Sequence, residues 1–182
     1  MKVLPQVLGA TEMSNSFLGS LVQVCVVTRD YRRTIEGFVN LGIGPWTIRM
    51  IDGSNVSGIY RGRPADFSAK LCLANSQNMN WEVIEPISGR SIYAEFLKRH
   101  GEGVQHLAFS CNGIDYEERV RQFEERGYVV VQHGVIFGGI DFHYFSAEDD
   151  LRTTIEIYRV PPGYIFPKPD EWYPASPPTE PR

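Results

Sequence analysis

The chain has 182 residues, with 18 Lys and Arg against 22 Asp and Glu, a formal net charge of −4 and 42% hydrophobic residues. This is ordinary globular composition, sufficient for one domain or two small ones. It lacks the concentrated basic face that neutralises nucleic-acid phosphates, so a dedicated nucleic-acid-binding protein is disfavoured. A protein that binds or converts a small molecule becomes the leading hypothesis.

The cysteine count and the apolar runs predict where the protein works. Three cysteines without a CxxC pair argue against a disulfide framework and favour the reducing cytosol. No apolar run approaches the roughly 20 residues that cross a bilayer. We therefore predict a cytoplasmic protein with no membrane association, in which residues 1–19 form a flexible leader.

The first half of the chain reads as strand, helix, strand, strand, strand. Asp30 is a candidate cap of the helix, and glycines and prolines between the second and third strands predict a long loop at 52–66. Ser76, Gln77 and Asn78 would join the last two strands as a hairpin. The segments are "LVQVCVVT" at 21–28, "YRRTIEGFVNLG" at 31–42, "WTIRMI" at 46–51, "FSAKLCLAN" at 67–75 and "MNWEVIEP" at 79–86.

The second half repeats this order, which indicates a duplicated module. Its segments are "VQHLAFSC" at 104–111, "YEERVRQFEERG" at 116–127, "YVVVQHGV" at 128–135, "IDFHYFSA" at 140–147 and "RTTIEIYRV" at 152–160. We predict a first βαβββ module at 20–87, a linker helix at 88–103 and a second module at 104–160, with one cavity between the modules. Residues 161–182 hold 8 of the 12 prolines and predict an extended arm that packs on the body or on a partner subunit.

Four polar residues interrupt the core-like strands of the two modules. Alternation places Gln23 and His106 on the inward face of each first strand, and Glu82 and Glu156 lie among apolar neighbours in each last strand. Taken singly, each is explained as an ordinary core or edge residue. A buried carboxylate is costly without a positive partner, and one nitrogen with three oxygen donors suits a divalent ion. We therefore predict one such ion, with Zn, Mn, Co, Ni, Mg and Fe all open.

The chain resembles the vicinal oxygen chelate superfamily, in its methylmalonyl-CoA epimerase-like and glyoxalase-like branch. The resemblance covers about residues 20–160 and is carried by "VQVCVVTRD", "GIGPWTI", "WEVIEPISG", "HGEGVQHLAFSC" and "TTIEIY". It implies an α+β fold in which two tandem βαβββ modules form an open half-barrel cup. It also implies that the metal ligands are Gln23, Glu82, His106 and Glu156.

The ligand types are similar to those of zinc-type glyoxalase I, whereas the surrounding sequence is more similar to the epimerases, where His commonly stands at the position of Gln23. The epimerases also use a second, non-ligand carboxylate upstream of the third strand. Between Glu36 and Glu82 this chain offers only Asp52 and Asp66 for that role.

The expected function is that of a divalent-metal-dependent isomerase or epimerase. It would remove a proton next to the carbonyl of an acyl-CoA thioester or 2-oxo compound through a metal-stabilised enolate, with Glu156 as the base and Glu82 as the second proton carrier. A glyoxalase-type lyase fits the same ligands. A protein of this fold that sequesters a small molecule without chemistry is the third alternative.

Substrate contacts are predicted outside the ligand set. The segment "YRGRPAD" places Tyr60, Arg61 and Arg63 in the long loop, as a candidate lid or wall, and His143 is a candidate contact in the second module. Each is also explained as a surface or cavity-wall residue. The expected partners are a small-molecule substrate and a second copy of the chain in a homodimer.

Overall fold

The computed structural model describes residues 17–76 and 79–177, which form one curled sheet of eleven strands with four helices. The strands are β1 (Leu21–Val27), β2 (Trp46–Ile51), β3 (Val56–Tyr60), β4 (Arg63–Pro64), β5 (Phe67–Ser76), β6 (Met79–Gly89), β7 (Gly103–Phe109), β8 (Val130–Ile136), β9 (Ile140–Phe145), β10 (Thr154–Arg159) and β11 (Glu171–Tyr173). The helices are α1 (Tyr31–Asn40), α2 (Ile92–His100), α3 (Tyr116–Glu125) and α4 (Glu148–Leu151). The predicted leader up to residue 16, the turn at Gln77 and Asn78, and the end of the arm from residue 178 lie outside the described residues.

The predicted α+β half-barrel is confirmed by the strand order. That order is β11-β2-β5-β6-β1-β7-β10-β9-β8-β3-β4. The first half contributes β2-β5-β6-β1, and the second half contributes the equivalent strands in the reverse direction, as β7-β10-β9-β8. Antiparallel pairing of β1 with β7 joins the halves, which relates them by an approximate twofold axis.

Helices α1 and α3 cover the outer face of the two halves. Asp30 accepts a hydrogen bond from the backbone N–H of Arg33 at 3.0 Å, and Asp115 accepts one from Glu118 at 3.1 Å. Each cap contributes about 1 kcal/mol to helix stability. Apolar side chains of these helices pack against the outer face of the sheet. The inner face is left to line a cavity.

The predicted long loop at 52–66 is wrong, because most of it forms the β3–β4 hairpin, which pairs with β8 of the second half. The glycines that suggested a loop serve a close approach of strands. Gly58 lies opposite Gly134, and a Cβ on either residue would collide with a backbone oxygen of the opposing strand. Glycine is therefore required for pairing here, rather than for a turn.

The hairpin also explains how the sheet curls. β2 and β3 lie near opposite ends of the strand order, yet only residues 52–55 separate them along the chain. The five Cα–Cα steps from Ile51 to Val56 span at most about 18 Å, so the two ends of the sheet must approach each other. Asn55 stabilises this turn, since its side-chain amide donates to the Met50 carbonyl oxygen at 2.9 Å.

The proline-rich arm packs along the body in its described part. β11 pairs with β2, Arg32 forms an ion pair with Glu171 at 2.8 Å, and the Tyr164 hydroxyl donates to the Phe137 carbonyl oxygen at 2.7 Å. The arm therefore covers one rim of the sheet and reaches the cavity inside it.

At the other end of the chain, the packed body begins before the predicted end of the leader at residue 19. The Phe17 ring lies 4.9 Å from the Phe123 ring, and the Phe17 carbonyl oxygen accepts a hydrogen bond from buried Arg119 at 2.7 Å. Within residues 17–76 and 79–177, no helix combines the length and apolarity needed to cross a membrane. The cytoplasmic location and the homodimer stay predictions.

Candidate metal centre

Three buried polar side chains meet on the inner face of the sheet where its halves join. His106 Nε2 lies 3.1 Å from Glu82 Oε2 and 3.1 Å from Glu156 Oε2. The His106, Glu82 and Glu156 side chains are 0%, 9% and 6% exposed. Among the described residues, none supplies these three atoms with a hydrogen bond of good geometry. Buried polar atoms are nearly always paired, so the cluster has the capacity to bind a group from outside the chain.

Strand register explains why residues far apart in sequence converge. Across β6, β1, β7 and β10, one row of facing residues is Glu82, Cys25, His106 and Thr154, and the adjacent row is Asn80, Gln23, Ala108 and Glu156. In both rows a small residue separates two larger polar ones. The approximate twofold exchanges the two rows. It relates Gln23 to His106, 83 residues later, and Glu82 to Glu156, 74 residues later. Each half thus contributes an equivalent pair of positions.

Gln23 is buried in the wall of the same cavity. Its side-chain amide nitrogen donates to Asn80 Oδ1 at 3.0 Å, and Asn80 in turn donates to Asn75 Oδ1 at 2.7 Å. These bonds occupy the donor side of the Gln23 amide. The carbonyl oxygen is the atom that remains to serve as a ligand.

A register shift orients the His106 ring. Cys25 faces His106 while the next residue, Val26, faces Val104, so Gln105 is an extra residue in β7. Such a bulge re-aims neighbouring side chains, and here both Gln105 and His106 are buried. The sequence analysis assumed strict alternation and therefore missed Gln105.

The bulge allows a directed chain of hydrogen bonds behind His106. His106 Nδ1 lies 2.7 Å from Gln105 Oε1, Gln105 Nε2 donates to Thr154 Oγ1 at 3.0 Å, and the Thr154 hydroxyl donates to Glu148 Oε1 at 2.9 Å. A carboxylate only accepts, so every donor in the chain points the same way. Nδ1 consequently carries a proton, and Nε2 faces the two carboxylates, where it shares a second proton or binds a cation.

Ionisation of Glu148 supports this direction. Partial burial opposes the charge, but hydrogen bonds from Ser146 and Thr154 hold the pKa of the Glu148 carboxyl below its ordinary value. It is therefore a carboxylate at neutral pH, which is the acceptor that the chain requires.

Cys25 is a further candidate donor, to which the sequence analysis assigned no role. Its Sγ lies within 4.8 Å of donor atoms of Glu82 and His106. Burial strongly raises the pKa of the Cys25 thiol, and the thiolate is the form that binds metals. Gln23 and the two carboxylates therefore fit the role of ligand better at neutral pH.

Burial and neighbouring groups shift the pKa values of both Glu156 and His106. Burial raises the pKa of the Glu156 carboxyl, more than the neighbouring His106 and Tyr144 lower it. Burial lowers the pKa of His106, but its neighbours Cys25 and Glu156 raise it, with a net upward shift. A shared proton or a cation stabilises such a cluster, because both offset the charge of the carboxylates.

The residues fit a divalent cation. The donor set is one imidazole nitrogen with the carboxylate oxygens of Glu82 and Glu156 and the amide oxygen of Gln23, which suits borderline and hard divalent metals. The three atoms without hydrogen-bond partners are those that would bind it. Open positions would face the cavity, as a catalytic site requires.

The cavity next to this cluster has a volume of about 380 Å³, which falls within the range of small-molecule sites. Its wall is mostly apolar and aromatic. It includes Phe67, Tyr93, Phe137, Phe142, Tyr144, Tyr158 and, from the arm, Phe166. The cavity is therefore suited to a compact ligand with an apolar body.

The predicted substrate contacts lie outside this cavity. Tyr60, Arg61 and Arg63 line a separate surface pocket beside the β3–β4 hairpin. Glu95 of α2 accepts a hydrogen bond from Tyr60 at 2.6 Å and pairs with Arg61 at 2.9 Å, so these two residues tie the hairpin to the helix. Although partial burial opposes it, the hydrogen bonds from Arg61 and Tyr60 lower the pKa of Glu95 to about 2.

His143 is on the opposite face of the sheet from the cavity. Phe142 and Tyr144 point inward, so alternation along β9 turns His143 outward. Its ring stacks on His133 with centroids 4.8 Å apart, and Nδ1 lies 2.8 Å from the Tyr116 hydroxyl. His143 therefore does not line this cavity, and its contact with a substrate stays a prediction.

Comparison with known proteins identifies the family and the fold of the chain. A family model described as the Glyoxalase/Bleomycin resistance protein/Dioxygenase superfamily matches residues 22–145, more than half of the chain. The protein belongs to this superfamily, as the sequence resemblance implied. No curated protein matches the chain by sequence.

Solved structures share the fold at low sequence identity. A hypothetical protein, BH1468 from Bacillus halodurans C-125, has a TM-score of 0.58 and 18% identity over 76% of this chain and 92% of its own. Methylmalonyl-CoA epimerase from Mycobacterium tuberculosis has a TM-score of 0.56 and 18% identity over 83% of this chain and 94% of its own. A Streptomyces coelicolor methylmalonyl-CoA epimerase variant, in complex with 2-nitronate-propionyl-CoA, has a TM-score of 0.57 and 16% identity over 79% of this chain and 95% of its own.

We predict that Gln105→Leu shifts the His106 ring proton from Nδ1 toward Nε2. The substitution removes the acceptor of Nδ1 and leaves a buried donor unpaired, which lowers the free energy of unfolding by about 1–3 kcal/mol. Ring ¹⁵N chemical shifts of chelator-treated protein, followed to a pH at which the ring is neutral, report the tautomer. Gln105→Glu keeps an acceptor and should retain the proton on Nδ1. An unchanged tautomer in Gln105→Leu would show that the chain does not orient the ring.

We also predict that His143 makes stability depend on pH below 6.5. Burial, assisted by His133, lowers the pKa of His143 from 6.5 to about 4. Between these values the unfolded chain binds a proton that the folded protein does not, so the free energy of unfolding falls as the pH falls. Urea unfolding at pH 7.5 and 5.0 should show a smaller loss in His143→Gln than in wild type, by on the order of 1 kcal/mol after allowing for solvent screening. Exposed His100→Gln is the control, and an equal loss in wild type and His143→Gln would contradict the prediction.

Proposed function

We propose that this protein is a divalent-metal-dependent enzyme that moves a proton next to a carbonyl group, as an isomerase or epimerase. The observation that carries the proposal is the cluster of His106 Nε2, Glu82 Oε2 and Glu156 Oε2. These atoms lack hydrogen-bond partners among the described residues, and Glu82 and Glu156 lie in the wall of an apolar cavity. A non-catalytic binding protein has no need to maintain two buried carboxylates there, because each is costly to bury.

The four proposed ligands have different roles. Gln23 and His106 hold the ion with neutral atoms, and Glu82 and Glu156 offset its charge. A divalent ion bound here would supply Lewis acidity to a substrate carbonyl oxygen and so acidify the adjacent C–H. The Gln23–Asn80 and His106–Gln105 hydrogen bonds hold the donor atoms in position, which reduces reorganisation when substrate binds.

Glu156 is the proposed base. Its pKa is raised by burial, which makes the carboxylate a better proton acceptor near neutral pH than an exposed one. Glu82 lies on the other side of His106 in the strand order, on β6 rather than β10. It is the proposed second proton carrier, and return of the proton to the opposite face or to the adjacent carbon gives epimerisation or isomerisation. The surrounding aromatic side chains exclude water from the reacting carbon.

The test is metal analysis of protein purified without added metal, followed by deuterium exchange from solvent into candidate acyl-CoA esters and 2-oxo compounds. We expect about one divalent ion per chain and exchange into one substrate class. Glu156→Gln should retain metal through its amide oxygen and lose exchange by about 10²–10⁴-fold, because general-base catalysis contributes that much. Exposed Glu125→Gln is the matched control and should exchange as wild type does.

The outcomes separate the remaining alternatives. Full exchange in Glu156→Gln would remove the base assignment. Conversion of a hemithioacetal without exchange into an epimerisable substrate would favour the glyoxalase-type lyase. Protein that binds no metal and catalyses no exchange would overturn the proposed function and leave a binding protein of the same fold.

A further inference from the structure

A cationic side chain faces the same cavity from another strand. Arg49 lies on β2 and shares the inner face with Thr47 and Ile51, all three of which line the cavity. Arg49 is only 6% exposed. Arginine is seldom buried to this extent without an anionic partner. Arg119 is also buried, but it donates to the backbone carbonyl oxygens of Phe17 and Cys111 and does not line the cavity.

The Arg49 guanidinium has no such partner in contact, and the Asp170 carboxylate attracts it only from beyond ion-pair distance. It takes part in none of the ion pairs of residues 17–76 and 79–177. The Thr47 hydroxyl accepts from Nη1 at 2.7 Å, and the Pro167 carbonyl oxygen accepts from Nη2 at 3.0 Å. Nε is buried without a hydrogen-bond acceptor in the described structure. Asp170 on the arm binds the backbone N–H of Met50 instead.

With a divalent ion bound at the proposed centre, the charges that line the cavity sum to one positive charge. Arg49, Glu82 and Glu156 are the charged residues of its described wall. A divalent ion at the proposed centre would offset the two carboxylates and leave the charge of Arg49. We propose that Arg49 binds a carboxylate of the substrate, which makes the substrate a compact acid with a single negative charge.

The position of Arg49 defines where that carboxylate sits. In the strand order β2 is separated from β6 by β5, and Arg49 is offset from the row of Glu82 by two residues, so their backbones are roughly 12 Å apart. The apolar wall includes Leu71 and Leu73 of β5, between them. The substrate carboxylate is thus distinct from the substrate oxygens that would bind the metal. An apolar body joins the carboxylate to these oxygens.

Guanidinium geometry favours a carboxylate as the anion. Its planar N–H groups match the two oxygens of a carboxylate, and desolvation within the cavity strengthens the contact. The Phe137 ring, 5.8 Å from the Arg49 Cζ, holds the guanidinium against the wall. This inference rests on the proposed function for the location of the reacting oxygens, while the anion site itself depends on Arg49.

The experiment compares two probes that differ only in charge, 4-(hydroxyacetyl)benzoate and 4-(hydroxyacetyl)benzamide. Both carry the same hydroxyketone on the same ring. Calorimetry on metal-loaded protein should show the acid binding about tenfold or more tightly than the amide. Arg49→Gln distinguishes the two possible causes of this preference, because a carboxylate–metal contact would persist in that variant. Arg49→Gln should abolish the preference, and Arg49→Lys should restore part of it.

Arg32→Gln is the matched control. Arg32 anchors the same arm through Glu171 outside the cavity, so this variant loosens the arm but retains the charge of Arg49 and should keep the preference. Equal binding of both probes to wild-type protein, or a preference that persists in Arg49→Gln, would overturn the inference. The wild-type comparison stands even where a variant fails to fold.

Deuterium exchange with the same probes separates this inference from the proposed function. Exchange is measured at the CH₂ protons of the hydroxyketone in metal-loaded protein. Arg49-dependent binding of the acid without exchange would contradict the proposed function and retain the anion site. Equal exchange of acid and amide, unaffected by Arg49→Gln, would retain the function and overturn the anion site.

Discussion

The antiparallel pairing of β1 with β7 is the contact on which the rest of the structure depends. Residues that face each other in such a ladder have Cβ atoms about 4.5–5.5 Å apart. Pairing Cys25 with His106 and Gln23 with Ala108 therefore brings the polar positions of both halves into one patch. A slip of one residue would turn every side chain of a strand to the other face. The small Cys25 and Ala108 leave room for the carboxylates that approach from β6 and β10.

Much of the fold and the central cluster could be predicted from the sequence, because both depend on simple periodicity. Alternation in β6 and β10 marks Glu82 and Glu156 as carboxylates within core strands, and the repeated order of elements implies that they are equivalent. The spacing of Gln23 and His106 follows from the same repeat. The ligand role of these four residues stays a prediction, although the structure brings His106 and both carboxylates together.

The remaining features depend on departures from periodicity, which leave no clear signal in one sequence. The bulge at Gln105 shifts a side chain that alternation would place on the outer face, and the equivalent position in β1 is Val22, which is also skipped in the register. The β3–β4 hairpin forms through a close approach at Gly58 that resembles a loop signal. Arg49 fits the alternation of β2, but a basic residue in a strand is more often exposed. Its burial depends on contact with the arm, which alternation along β2 does not predict.

The two outermost strands of the sheet have a consequence for association between copies. β4 has two residues and includes Pro64, which has no N–H to donate, and β11 has three residues and is followed by Pro174. A long rim with free backbone groups acts as a template on which further strands polymerise, and both rims are too short and too interrupted for this. The protein is consequently protected against fibril-like growth at high concentration, and two copies that associate stably would do so through side-chain surfaces rather than by extending one continuous sheet.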